Sequence, residues 1–289
     1  MRPNPVLTRL GYAPNARVVL VHADDVGMCH ATVPAFFDLS EAGEVSAGSV
    51  MVPCPWSAEA AAESRRRPSA DLGVHLTLTS EWERYRWGPL VHRNSDDGLV
   101  DQDGFFYRNQ SQWVRPDASA AVAEMRAQVD RAVRTGIDVT HLDCHMFAML
   151  SHGLTDGYVD LGFALGVPVL LTRQPAWVRI LSAARLDAWE ARGMPVFDHL
   201  REMPLDLPAA GCAETVKHIL AELEPGLTYF ILHPAIDTPE LRAIAPDWRQ
   251  RAGEYETFLT GAPRRFARDA GIHWIGWRAI RDAFRAGIP

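Results

Sequence analysis

Short apolar, β-branched runs recur along the chain, each closing on a polar or small-residue cluster. They are Val18–Ala23, Val45–Val52, Leu72–Leu78, Val139–His145, Val167–Thr172, Tyr229–Ala235 and His273–Trp277. Runs of this length predict buried strands, although periodicity alone does not separate them from buried helix. Between them the period changes. Ala120–Val133 sets Ala121, Val122, Met125, Val129 and Val133 on one helical face, with Gly136 as a stop. Ala31–Leu39 and Ala213–Leu223 read as helices in the same way. Strands alternating with helices imply an α/β fold with a parallel sheet. About seven such units predict a distorted (β/α) barrel, formed by residues 1–289 as a single domain.

One segment interrupts the alternation. Residues 80–116 are too long for a plain connection and carry Trp82, Tyr85, Trp87, Phe105, Phe106, Tyr107 and Trp113. This excursion is either a lid or sugar-stacking wall, or a small satellite core.

Composition narrows the class. The chain of 289 residues is 47% hydrophobic and 22% charged, an ordinary globular balance that excludes a disordered or fibrous protein. The net charge of −7 argues against a nucleic-acid partner. The N-terminal residues lack the apolar core of a secretory signal, and no stretch of 18 apolar residues predicts a membrane span. Cys29, Cys54, Cys144 and Cys212 are scattered with no CxxC pair, which predicts reduced thiols in a cytoplasmic protein. A homodimer is compatible with the sequence, which does not count subunits.

The chemistry concentrates where strands end. In parallel α/β proteins catalytic groups collect at the C-terminal ends of the strands. Here the first run ends in Asp24-Asp25, the third carries His75, the fourth His141, Asp143 and His145, and a later one His233-Pro234. Singly, each has a plain explanation: a helix-capping turn, a core histidine, a strand exit. Jointly, four strands deliver Asp or His to one rim. Two imidazoles and a carboxylate can hold one divalent ion with open positions, which acidifies bound water. One aspartate of the adjacent pair could then ligate while the other takes the proton. A histidine from the opposite side could protonate a leaving group. Zinc suits such ligands, as does magnesium with a water shell, and manganese is also compatible.

At these residues the sequence resembles the YdjC/ChbG-type carbohydrate deacetylases. The matching pieces are HADDVG (22–27), LGVHLTLT (72–79), THLDCH (140–145) and LHPA (232–235). Fainter echoes are WGPL (87–90), DGFF (103–106) and WRQRAGEYETF (248–258). The resemblance implies a barrel like that of polysaccharide deacetylases, and metal-dependent hydrolysis of the acetyl group of a small N-acetylated sugar. It implies Asp25, His75 and His145 as metal ligands, Asp24 as base and His233 as acid. It leaves His141 as an alternative ligand and Asp143 as a partner that orients an imidazole. Trp87 and Arg173 are the candidate substrate contacts.

The sequence departs from that pattern in two places. The family often carries further histidines after the ligand, where this chain has Met146-Phe147-Ala148-Met149, and Cys144 stands in place of a serine. An arginine common in the strand at 167–172 is absent, and Arg173 follows it instead. Two other functions compete: a glycoside hydrolase, for which adjacent Asp24 and Asp25 are poorly spaced, and a non-catalytic sugar-binding protein on the same fold.

Overall fold

The computed structural model describes residues 3–91, 95–113 and 116–287. Among them seven strands form one sheet: β1 (Arg17–Val26), β2 (Ala47–Val50), β3 (Leu72–Leu76), β4 (Val139–Cys144), β5 (His199–Glu202), β6 (Gly226–Leu232) and β7 (Ile272–Trp274). Every pairing is parallel, and the order is β4-β3-β2-β1-β6-β5 with β7 beside β1. β1 is the hub. One edge runs along β6 from Arg17 to Ala23, while the other meets β7 at Arg17–Val19 and β2 at His22–Val26. Nine of its ten residues are buried, as expected for a parallel strand covered on both faces.

The seven-stranded parallel α/β architecture matches the sequence expectation, but its membership differs. The run 167–172 is not a strand; it makes isolated bridges, Leu142 with Val169 and Thr172 with Phe197. These lie across the gap between β4 and β5, so the ring is not closed by a continuous ladder. Pro168 has no N–H to give a ladder, and its carbonyl accepts from the Leu142 N–H instead. The seventh strand is β5, whose sequence HLRE has no apolar run.

The helix expected at 120–133 spans Ala118–Arg134, capped by Asp117, whose carboxylate accepts from the Ser119 and Ala120 N–H groups. Its buried face is shifted from expectation: Val133 is exposed, and Glu124 and Gln128 are buried. These polar residues pin the chain that leaves β3. The Gln128 amide both accepts from the Thr77 N–H (2.9 Å) and donates to the Thr77 carbonyl (2.8 Å), while Glu124 accepts from the Leu90 and Val91 N–H groups. The excursion packs onto the main core rather than forming a separate one, with Trp87, Leu99, Val100, Phe106 and Trp113 buried. Its positions 92–94 and 114–115 lie outside the described residues.

Gly73 of β3 shows how tightly the sheet interior is filled. A Cβ there would lie 2.5 Å from the His141 ring and 2.6 Å from the His141 carbonyl oxygen. Because backbone would have to move, Gly73→Ala is expected to cost about 1–3 kcal/mol of stability in urea titration. An unchanged midpoint would contradict this packing.

Candidate active site at the strand ends

A cavity of about 780 Å³ opens over the C-terminal ends of the strands, within the range of small-molecule sites. Its floor carries Asp24, Asp25, His75, His145 and His233. Adjacent residues on a regular strand point to opposite faces, yet Asp24 and Asp25 both line this cavity. The backbone explains it. The register between β1 and β2 shifts between Ala23 and Val26, and Asp25 takes a left-handed φ of 62°. A bulge with a strained residue turns the second carboxylate inward.

Three side chains converge. Asp25 Oδ1 lies 3.5 Å from His75 Nε2 and 3.2 Å from His145 Nδ1. That oxygen is buried and has no aligned hydrogen bond. The three groups form one cluster with metal-ligand spacing. Each is held from behind. Asp25 Oδ2 accepts from Arg251 (2.8 Å), His75 Nδ1 lies 3.0 Å from Asp143 Oδ1, and His145 Nε2 lies 2.8 Å from Glu81. Asp143 in turn accepts from Ser49 (3.0 Å) and Tyr229 (3.3 Å).

The electrostatics follow from these contacts. Burial works against ionising Asp25, but the Arg251 guanidinium and His145 outweigh it and hold its pKa well below the usual carboxylate value. Burial also disfavours charge on His75 and His145. It is overcome in His75 by Asp143 and Asp24, and in His145 by Glu81 and Asp25, which raise these histidines to about 9 and about 10.

Two further groups face the trio. Asp24 Oδ2 lies 3.7 Å from His75 Nε2 and 4.0 Å from His233 Nε2. Asp24 Oδ1 is engaged on the other side by His22 Nδ1 at 2.6 Å. The His233 N–H donates to Glu254 (2.6 Å), and its Nδ1 is buried without a partner among the described residues.

The other candidates lie apart. His141 turns away from the cavity: its Nε2 is 2.7 Å from His22 Nε2 and its ring stacks on Trp277. Trp87 is buried within the excursion, edge-on to the His145 ring and with its indole N–H on the Thr79 carbonyl, and Trp82 is the excursion's ring that lines the cavity. Arg173 pairs with Asp187 and Glu190 and is not among the lining residues. The mouth is walled by Met146-Phe147 and by Met203–Asp206. Sequence reasoning missed Arg251, Glu81, Asp247, Glu254 and His22. The faint 248–258 echo holds two of them, Arg251 and Glu254.

Comparisons with known proteins agree with one another. A profile of YdjC-like proteins matches residues 18–269. A carbohydrate deacetylase of Thermus thermophilus is 33% identical over 96% of this chain and 98% of its own length. One from Thermoanaerobacter pseudethanolicus is 24% identical over 89% and 96%. Among solved structures, one described as a cellobiose-phosphate cleavage protein of Enterococcus faecalis superposes with a TM-score of 0.77 at 19% identity, covering 92% of this chain and 99% of that one. That last likeness concerns the fold. No helix among the described residues is long and apolar enough to cross a membrane.

Proposed function

This chain belongs to the YdjC-like protein family, and on that premise we propose that it is a metal-dependent carbohydrate deacetylase. Its reaction is hydrolysis of the acetamide of a small N-acetylated sugar or glycoconjugate. The observation that carries the reading is the Asp25–His75–His145 trio, whose carboxylate oxygen is buried without an aligned hydrogen bond and faces the cavity. Those donors fit one divalent ion, zinc, magnesium or manganese. When bound, it would supply Lewis acidity toward the amide carbonyl and toward water.

The chain's own residues do the rest. Asp24, with Oδ2 open to the cavity, takes a proton from the attacking water. His233, 4.0 Å from that oxygen, gives a proton to the sugar nitrogen as the C–N bond breaks, so that acetate and an amino sugar leave. Arg251, Asp143 and Glu81 fix the ligands' orientation. Trp82 and the Met146-Phe147 wall offer apolar surface for a sugar's C–H face.

Acetate release tests the reading, using apo protein reconstituted with one metal at a time and a panel of N-acetylglucosamine oligomers. Acetate is expected, faster from mono- and disaccharides than from polymeric chitin because the walls bound the cavity. Cleavage of the glycosidic bond without acetate would favour a glycoside hydrolase, and no reaction with any metal would overturn the assignment.

A further inference from the structure

Behind Asp24 runs a buried line of groups that the proposed reaction does not use. His22 and Asp24 alternate on β1 and therefore share a face. His22 Nδ1 lies 2.6 Å from Asp24 Oδ1, and His22 Nε2 lies 2.7 Å from His141 Nε2. His141 Nδ1 lies 3.0 Å from Thr140 Oγ1, which also meets the Asp71 carboxyl. His22, His141 and Thr140 are fully buried.

These two rings are clamped. His141 is stacked on Trp277 at 4.8 Å between centroids and 8° between planes, with Gly73 pressed against its Nδ1 and Cε1 atoms. His22 packs beside Tyr229. The pair does not suit a metal: two imidazoles on one tetrahedral ion, each at ~2.1 Å, hold their nitrogens roughly 3.4 Å apart, whereas 2.7 Å is a hydrogen bond.

The direction of the hydrogens follows from the carboxylate. An ionised Asp24 only accepts, so His22 Nδ1 carries a hydrogen and donates. The 2.7 Å between His22 Nε2 and His141 Nε2 leaves room for one hydrogen, so a single hydrogen bond ties the two rings together. Burial and the neighbouring His22 push the His141 pKa well below its usual value, in keeping with a neutral ring.

We propose that His22 is a positioning residue for Asp24, and that His141 acts through it by holding its ring in place. The hydrogen bond to Oδ1 orients the carboxylate so that Oδ2 faces the water it deprotonates. This inference rests on Asp24 being the base.

Two conservative variants test it in metal-reconstituted protein, with an N-acetylglucosamine disaccharide as the probe. Asparagine places its amide near the Nδ1 position, so His22→Asn keeps a donor for Asp24. Glutamine places its amide near Nε2, so His22→Gln loses that donor while remaining polar. Partners of this kind are typically worth 10–100-fold. His22→Gln is therefore expected to lower kcat by about that factor, with KM and metal content unchanged, and His22→Asn to stay within about threefold of the parent. Adding His22→Gln to Asp24→Asn should cost little more, because both act on one group. Equal rates for the two His22 variants, or loss of metal from either, would overturn the positioning role. A near-normal rate for Asp24→Asn would instead sink the base assignment, whatever the His22 variants do.

Discussion

His75→Ala is expected to lose bound metal and acetate release together while the fold persists. Asp25→Asn should do the same. The readouts are elemental analysis after reconstitution, initial rates, and circular dichroism to confirm folding. Full metal occupancy in His75→Ala would refute the ligand set. The same site makes binding pH-dependent in a known direction. His75 and His145 are raised to about 9 and about 10 before any ion arrives, so at neutral pH a ligating ion must displace a proton from each. Apparent affinity should then rise with pH, by up to about 100-fold per unit below pH 9 for two displaced protons. Titration calorimetry in buffers of different ionisation enthalpy counts those protons, and a count of zero would contradict the electrostatics described above. His141→Ala, by contrast, should retain its metal, since that ring is bonded to His22.

The second large effect concerns proton transfer. Asp24→Asn and His233→Ala are each expected to reduce turnover by roughly 10²–10⁴-fold with metal still bound. The parent's pH–rate profile should be bell-shaped, and the His233 variant should lose its alkaline limb. That limb should lie on the acid side of 6.5 in kcat/KM. Burial lowers the His233 pKa, and Arg251 lowers it further, against the opposing pull of Asp25 and Asp24. A histidine acid with a depressed pKa is protonated only below that value, so the rate falls as pH rises through it. Near-normal turnover of metal-loaded His233→Ala would reduce His233 to a packing residue beside Pro234.

The strands that were legible in the sequence are those in which burial on both faces leaves an apolar run, as in VVLVHA and YFILHPA. β5 was not, because only Leu200 of its four residues is buried, and pairing to β6 rather than apolar content makes it a strand. The opposite error occurred at 167–172. Burial there reflects a segment wedged across the β4–β5 gap, and an apolar run does not distinguish wedging from pairing. Aspartates and histidines at strand ends could be found because parallel topology gathers such ends into one rim. Arg251 could not, since it sits on the helix Trp248–Leu259 and reaches Asp25 across 226 positions of sequence. His22 carried a usable signal. Its two-residue spacing from Asp24 within a strand places both on one face, and only its apolar neighbours made it look like filler.

The central place of β1 has a consequence for biosynthesis. Its partner opposite Arg17 along one edge is Gly226, and along the other Ile272. The strand therefore leaves the ribosome with both partners for its first half still unmade, and at about 5–20 residues per second the wait for β6 is roughly 10–40 s. During that interval the first half of β1, residues 17–21, is an unpaired apolar edge of the kind that nucleates aggregation. Newly made chains should thus depend on holding chaperones until late in translation. A release stalled before residue 226 should yield a chaperone-bound, protease-sensitive nascent chain, whereas a stall that exposes all of β7 should yield a resistant one.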